Sequence, residues 1–261
     1  MRVWVAVLAL PILGGCVSSP STPDTSAHEP VSKKTALTEA AKRAKAHADL
    51  GMEYLLLAKP SVALDEARSA IAADSTSPLG YNLMGLVEMT IKDSPGAEEN
   101  FKRALSLAPG DPEIGNNYGW FLCQTGHEQD SMPYFIAAAN APLYSNPGKP
   151  LTNAGICSMS IKDYKSAEGF LSQALRIDPS NLDAQFLLAD VCYQVGRLQE
   201  AQARLDEVHR RRDSTAQSDW LGLRIARKLG DQEAENRFAG ELRHRFSGSY
   251  EYQLLLQGRY E

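Results

Sequence analysis

Histidine is scarce in this chain and scattered. The five residues, His28, His47, His127, His209 and His244, offer no two at ligand spacing on one helix. A zinc site is therefore not expected. There is no G-x-S-x-G, no glycine-rich phosphate loop and no H-E-x-x-H, so the common nucleophile, nucleotide and metalloprotease signatures are missing. The adjacent carboxylates Glu98–Glu99 and Glu233/Glu235 read as solvated helix faces, not as an acid–base pair. No cofactor, metal or small-molecule substrate is expected. Positive charge is in deficit: the net charge is −5, and the only dense basic cluster is "HRRRD" at 209–213. That balance gives no electrostatic reason to expect nucleic-acid binding. Long hydrophobic runs are absent too. The longest, Val3 to Leu13, falls short of the about 20 residues a membrane-spanning helix needs.

What is present begins with that short run. "MRVWVAVLALPILGGC" carries one positive charge at Arg2, then apolar residues, then two glycines and Cys16. This is the layout of a secretory signal over residues 1–15. Leu13-Gly14-Gly15-Cys16 resembles a bacterial lipobox, which implies that Cys16 is acylated, palmitate being a typical chain, and becomes the mature N-terminus. Two or more acyl chains anchor stably where one does not. Val17 follows, where an aspartate would favour inner-membrane retention, so outer-membrane anchoring is expected. Residues 16–34 are rich in Ser, Thr and Pro and read as a disordered tether. Its flexible reach is roughly 23 Å.

The body, residues 35–261, is one unit repeated. At a period of about 34 residues, Ala63, Ala97, Ala167, Ala201 and Ala234 fall into one column, with Ser131 as the exception. Phe101, Phe135, Leu171, Leu205 and Phe238 form a bulky column, and Gly51, Gly85, Gly119, Gly155 and Ala189 an earlier small one. Helices cross closely only where side chains are small, and the bulky column fills the space beside the crossing. Gly126 and Gly196 fall between the two helices of a repeat, where a left-handed residue is needed. The pattern resembles the tetratricopeptide repeat, a helix–turn–helix unit. The expected fold is an all-α, right-handed superhelix of about six such repeats, at 44–77, 78–111, 112–147, 148–181, 182–215 and 216–246. A helix from about Ser249 to Gln257 caps the open end. The third repeat carries two extra residues within "APLYSNPGKP", and the sixth, one residue short before Ala234, matches least well.

Two cysteines, Cys123 and Cys157, fall on the first helices of adjacent repeats, and Cys192 lies in a core column of the fifth. A bridge between the first two suits an oxidising compartment. The other reading makes Cys123 a nucleophile with His127 four residues on, but no third orienting group is visible. First helices line the concave face of such a superhelix. Groove positions read off as Met52, Leu55, Asn82, Leu86, Met89, Asn116, Trp120, Ile156, Met159, Phe186 and Tyr193. Apolar side chains with interspersed asparagines suit a peptide, the asparagines bonding its backbone. The large apolar residues of "NNYGWFLCQTG" at 116–126 thus belong to a scaffold rather than a catalytic loop.

The signal, lipobox, tether and repeats, with "NNYGWFLCQTG…YFIAAANAPLYSNPGKPLTNAGIC" at their centre, resemble the PilF/PilW family of type IV pilus lipoproteins. The resemblance implies a pilotin, a non-enzymatic protein that binds the secretin subunit PilQ and helps it reach the outer membrane and multimerise. It also implies a Cys123–Cys157 disulfide, as in some members. A different class of function, a periplasmic repeat lipoprotein that regulates cell-wall (peptidoglycan) enzymes, fits the same superhelix. The 116–157 stretch favours the first.

Overall fold

The computed structural model describes residues 29–260. The signal segment, Cys16 and most of the tether lie outside the described residues. Thirteen helices follow one another, and no strand occurs among the described residues. They pair as α1 (Glu39–Leu56) with α2 (Pro60–Ala73), α3 (Pro78–Thr90) with α4 (Ser94–Leu107), and α5 (Pro112–Gln124) with α6 (Glu128–Ala139). The next pairs are α7 (Gly148–Ser160) with α8 (Tyr164–Ile177), α9 (Leu182–Gln194) with α10 (Leu198–Arg211), and α11 (Ala216–Leu229) with α12 (Gln232–Arg245). The short α13 (Tyr250–Leu256) packs on the last pair. This is an all-α tetratricopeptide solenoid of six helix pairs with a terminal cap. Odd-numbered helices α1 to α11 touch one another in a row, whereas even-numbered helices α2 to α12 do not. The stack therefore curves, with first helices inside and second helices outside.

Each helix starts and stops for local reasons. Proline at the first turn, Pro78 in α3 and Pro112 in α5, costs nothing because that N–H has no helical partner. Asp111 caps α5 by accepting from the backbone N–H groups of Glu113 at 3.0 Å and Ile114 at 2.8 Å. Between the helices of every pair stands one left-handed residue: Ala58, Lys92, Gly126, Lys162, Gly196 and Gly230, with φ between 54° and 84°. In three turns an aspartate follows it and caps the second helix: Asp93, Asp163 and Asp231. Only glycine takes this backbone shape freely. Lys162→Gly removes about 1–2 kcal/mol of left-handed strain and gives back about 0.5–1 kcal/mol in unfolded-chain entropy, so a net stabilisation of about 0.5–1 kcal/mol is expected; Gly196→Ala is expected to destabilise the fold by about 1 kcal/mol. Thermal melts of both variants check this; opposite shifts in melting temperature are the expected result.

The crossing within each pair rests on the small column. A Cβ on Gly155 would stand 2.6 Å from Leu171 Cγ, and one on Gly119 3.0 Å from the Phe135 ring. Two departures from the sequence columns are informative. In the first pair the large residue beside Gly51 is Leu83, supplied by α3, because Ala67 stands where later repeats carry Phe or Leu. In the sixth pair the small residue is Gly222, whose Cβ would fall 2.5 Å from the Phe238 ring. It sits one residue earlier in its helix than its counterparts, which is why a fixed period misses it.

Candidate protein-binding groove

The inner layer presents α1, α3, α5, α7, α9 and α11 along one face. Most expected groove residues are neither fully exposed nor fully buried, since each leans on a core cluster. Leu55 packs on the cluster around Ala63 and Leu83, and Leu86 and Met89 on that around Phe101, Tyr118 and Phe121. Met159 packs on the cluster around Leu171 and Phe186 on the one around Leu205. Trp120 rests one face on Phe135, Ala154 and the cysteine pair while the rest stays accessible. Met52 and Ile156 are half-buried, each lining a recess of the inner face. Tyr193, at 4% exposure, is buried beneath Arg224 and Lys228, whose charges lie 4.4 and 4.1 Å from its ring centre.

The asparagines correct the sequence reading. Asn82 and Asn116, expected to meet a ligand, are 5% and 1% exposed. They belong to a chain of amides crossing three helices. Asn153 donates to Asn116 at 2.9 Å, Asn116 to Asn117 at 3.4 Å, and Asn117 to Asn82 at 3.2 Å. A buried amide needs such partners, so this ladder fixes the spacing of α3, α5 and α7. Asn117 and Asn153 were not singled out from sequence. Their signal was an Asn at the fifth or sixth position of three successive first helices.

The open part of the groove is a recess of about 500 Å³ between α7 and α9, lined by Lys149, Thr152, Asn153, Ile156, Phe186 and Leu187 among others. It mixes apolar side chains with amide and hydroxyl groups, as a peptide site requires. A larger recess, about 1150 Å³, lies elsewhere, between outer helices α4 and α6. Its floor is the aromatic packing of Tyr118 on Phe121 (6.0 Å, interplanar angle 14°) and of Tyr118 against Tyr134 (5.0 Å, 83°).

Cys123 and Cys157 face one another as a bonded pair with Cα atoms 5.8 Å apart, inside the range a bridge allows. They join α5 to α7 beside the groove. His127 lies at the surface near Asp130, and the Cys123 sulfur is spent in the bridge to Cys157 rather than free as a nucleophile. Cys192 is buried, and burial pushes its thiol pKa up, as for a core residue. No group of three metal-ligating side chains occurs among the described residues, and no helix among them is long and apolar enough to cross a membrane.

The last residues of the expected tether are docked on the repeats. Pro30 is buried, and residues 31–34 form a turn against the inner face. Val31 N–H donates to Asp111 Oδ2 at 2.7 Å, and Ser32 Oγ donates to the Glu113 carboxylate. The burial of Pro30 and two hydrogen bonds outweigh the local composition.

At the other end, Asp219 of α11 is 1% exposed and accepts from Ser214 Oγ at 2.9 Å. Burial raises its pKa from 3.8 to about 6, with the Glu241 charge adding to the rise and Arg245 and Arg237 opposing it. His209, on α10, has a pKa lowered by burial, and its Nε2 lies 3.9 Å from Asp219. The fold prefers neutral Asp219, so the stability this brings is complete below about pH 4 and lost as pH rises through about 6. Asp219→Asn keeps an acceptor for Ser214. It is expected to match wild type near pH 4 and exceed it by about 2–3 kcal/mol at pH 8. Urea unfolding at the two pH values checks this.

An all-α solenoid of tetratricopeptide pairs with a groove tied laterally by a disulfide has the fold of a protein-interaction scaffold. A family model for the tetratricopeptide repeat matches residues 160–223. The type IV pilus assembly protein PilF of Pseudomonas aeruginosa is 24% identical over 208 residues, 80% of this chain and 82% of PilF. The solved structure of PilW, described as a widely conserved type IV pilus biogenesis factor, is 30% identical. The likeness covers 82% of this chain and 98% of the solved one, with a TM-score of 0.75. The P. aeruginosa PilF structure overlays at a TM-score of 0.73 with 23% identity, covering 85% of this chain and all of that one. The chain belongs to the PilF/PilW family of tetratricopeptide proteins.

Proposed function

We propose that the chain is a type IV pilus biogenesis factor that acts as a pilotin. Acylated at Cys16, it sits at the outer membrane facing the periplasm. It binds the secretin subunit through the inner face of its repeats and promotes the subunit's outer-membrane localisation and assembly into a ring. The observation that carries this reading is the likeness to PilW over nearly the whole of that protein, at 30% identity. The open recess around Ile156 and Phe186 supports the groove as the contact, and a half-covered Trp120 supplies the kind of anchor that dominates such interfaces. No chemistry is required of the protein; a rigid curved surface and an anchor suffice. The test is co-purification from membranes of the native lipoprotein and of Cys16→Ala. Secretin subunits recovered with the first, and misplaced or unassembled secretin in cells making only the second, are the expected results. Normal secretin rings in cells lacking the protein altogether contradict the reading.

A further inference from the structure

At the first three repeats the groove is already filled, and by the chain itself. Val31 and Ser32 line one recess of the inner face together with Met52 of α1, Leu79 and Leu83 of α3 and Ile114 of α5, and Pro30 beside them is buried. The recess left beside them is about 70 Å³, against about 500 Å³ in the recess farther along. The contact is built, not incidental. Asp111 spends one carboxylate oxygen on the α5 cap and the other on Val31 N–H. It is 4% exposed, and burial holds its pKa above the usual carboxylate value. The "APLYSNP" insertion places Tyr144 nearby, where burial, with the charges of Glu113 and Asp111 adding to it, pushes its pKa to about 12. Asp49, Asp111 and Glu113 make the site acidic, and Lys33 and Lys34 follow the docked residues in sequence.

We infer that repeats one to three hold a site for an extended, basic-flanked peptide with a small hydroxyl residue, and that the chain's own Pro30–Ser32 is its resting occupant. The site reads backbone N–H through Asp111 and a hydroxyl through Glu113, so a partner segment of the same chemistry binds by displacing the strap. Only the identity of that partner rests on the pilotin reading. Tethered to the first helix, the strap acts as an intramolecular competitor, and affinity for a peptide in trans falls by the fraction of sites it occupies.

The test uses the full chain with Pro30–Ser32 replaced by three glycines, and a synthetic peptide spanning Glu29 to Leu37. The strap-replaced chain is expected to bind this peptide at least about tenfold more tightly than wild type does. Asp111→Asn in that background weakens the peptide, since asparagine still caps α5 but turns an amide donor toward the incoming N–H. A peptide with Lys33 and Lys34 changed to Glu binds more weakly. Hydrogen exchange adds a second readout: the Val31 amide is protected in wild type and unprotected in Asp111→Asn. Equal binding by wild-type and strap-replaced chains, no binding up to about 1 mM, or an unprotected Val31 amide overturns the inference. Failure of secretin fragments to bind either chain, with the peptide results intact, overturns the pilotin reading instead.

Discussion

Replacing both Cys123 and Cys157 by alanine is expected to lower the melting temperature by about 10 °C and to abolish its response to reductant. The bond spans a sequence separation of 34 residues, and closing a loop of that length restricts the unfolded chain by roughly 3–4 kcal/mol. For a domain of this size each kcal/mol shifts the midpoint by about 2–4 °C. The location makes the effect local as well. The pair sits against Phe135, Ala154 and Trp120, with Ser131 Oγ 3.3 Å from Cys157 Sγ, where the two-residue insertion separates the third repeat from the fourth. Cys192→Ala separates the bond from mere thiol loss, since that variant keeps the reductant response. A wild-type melt unmoved by reductant, with both thiols free to label, contradicts the bridge.

Trp120→Ala is expected to weaken binding to the secretin subunit by about 2 kcal/mol or more, roughly thirtyfold. A tryptophan half-buried at the centre of a groove contributes large contact area at little entropic cost. Because its inner face rests on Phe135 and the cysteine pair, the substitution also costs some stability. Melting temperature is therefore followed beside titration calorimetry at a temperature where both proteins are folded. Lys165→Ala, exposed on outer helix α8, removes a charge outside the groove; its effect on the secretin contact is under about 1 kcal/mol. Undiminished binding by folded Trp120→Ala removes the groove as the site.

The fold was legible because its determinants are periodic. Gly155 against Leu171, or Gly119 against Phe135, is a contact between fixed positions of one repeat, so a column of letters records a helix crossing. Where the period slips the letters mislead, as at Gly222. The groove was less legible. Asn82 and Asn116 occupy positions that face the inner layer, but whether an inward amide meets a ligand or its neighbour depends on the helix spacing. Here α5 and α7 stand close enough for Asn153 to reach Asn116. Composition alone marked 16–34 as a tether, and nothing local to "PVSKK" announces Asp111, 80 residues away from Val31. The strap depends on a carboxylate oxygen left over from capping α5, which only the assembled superhelix puts in reach.

The central claim, that the inner face of the repeats holds the secretin subunit, is tested most directly by site-specific photo-crosslinking in cells. A photoreactive residue replaces Ile156 in the groove or, as a control, Arg103 on outer helix α4. The account predicts an adduct with the secretin subunit from position 156 and none from 103; an adduct from 103 alone, with 156 silent, contradicts it.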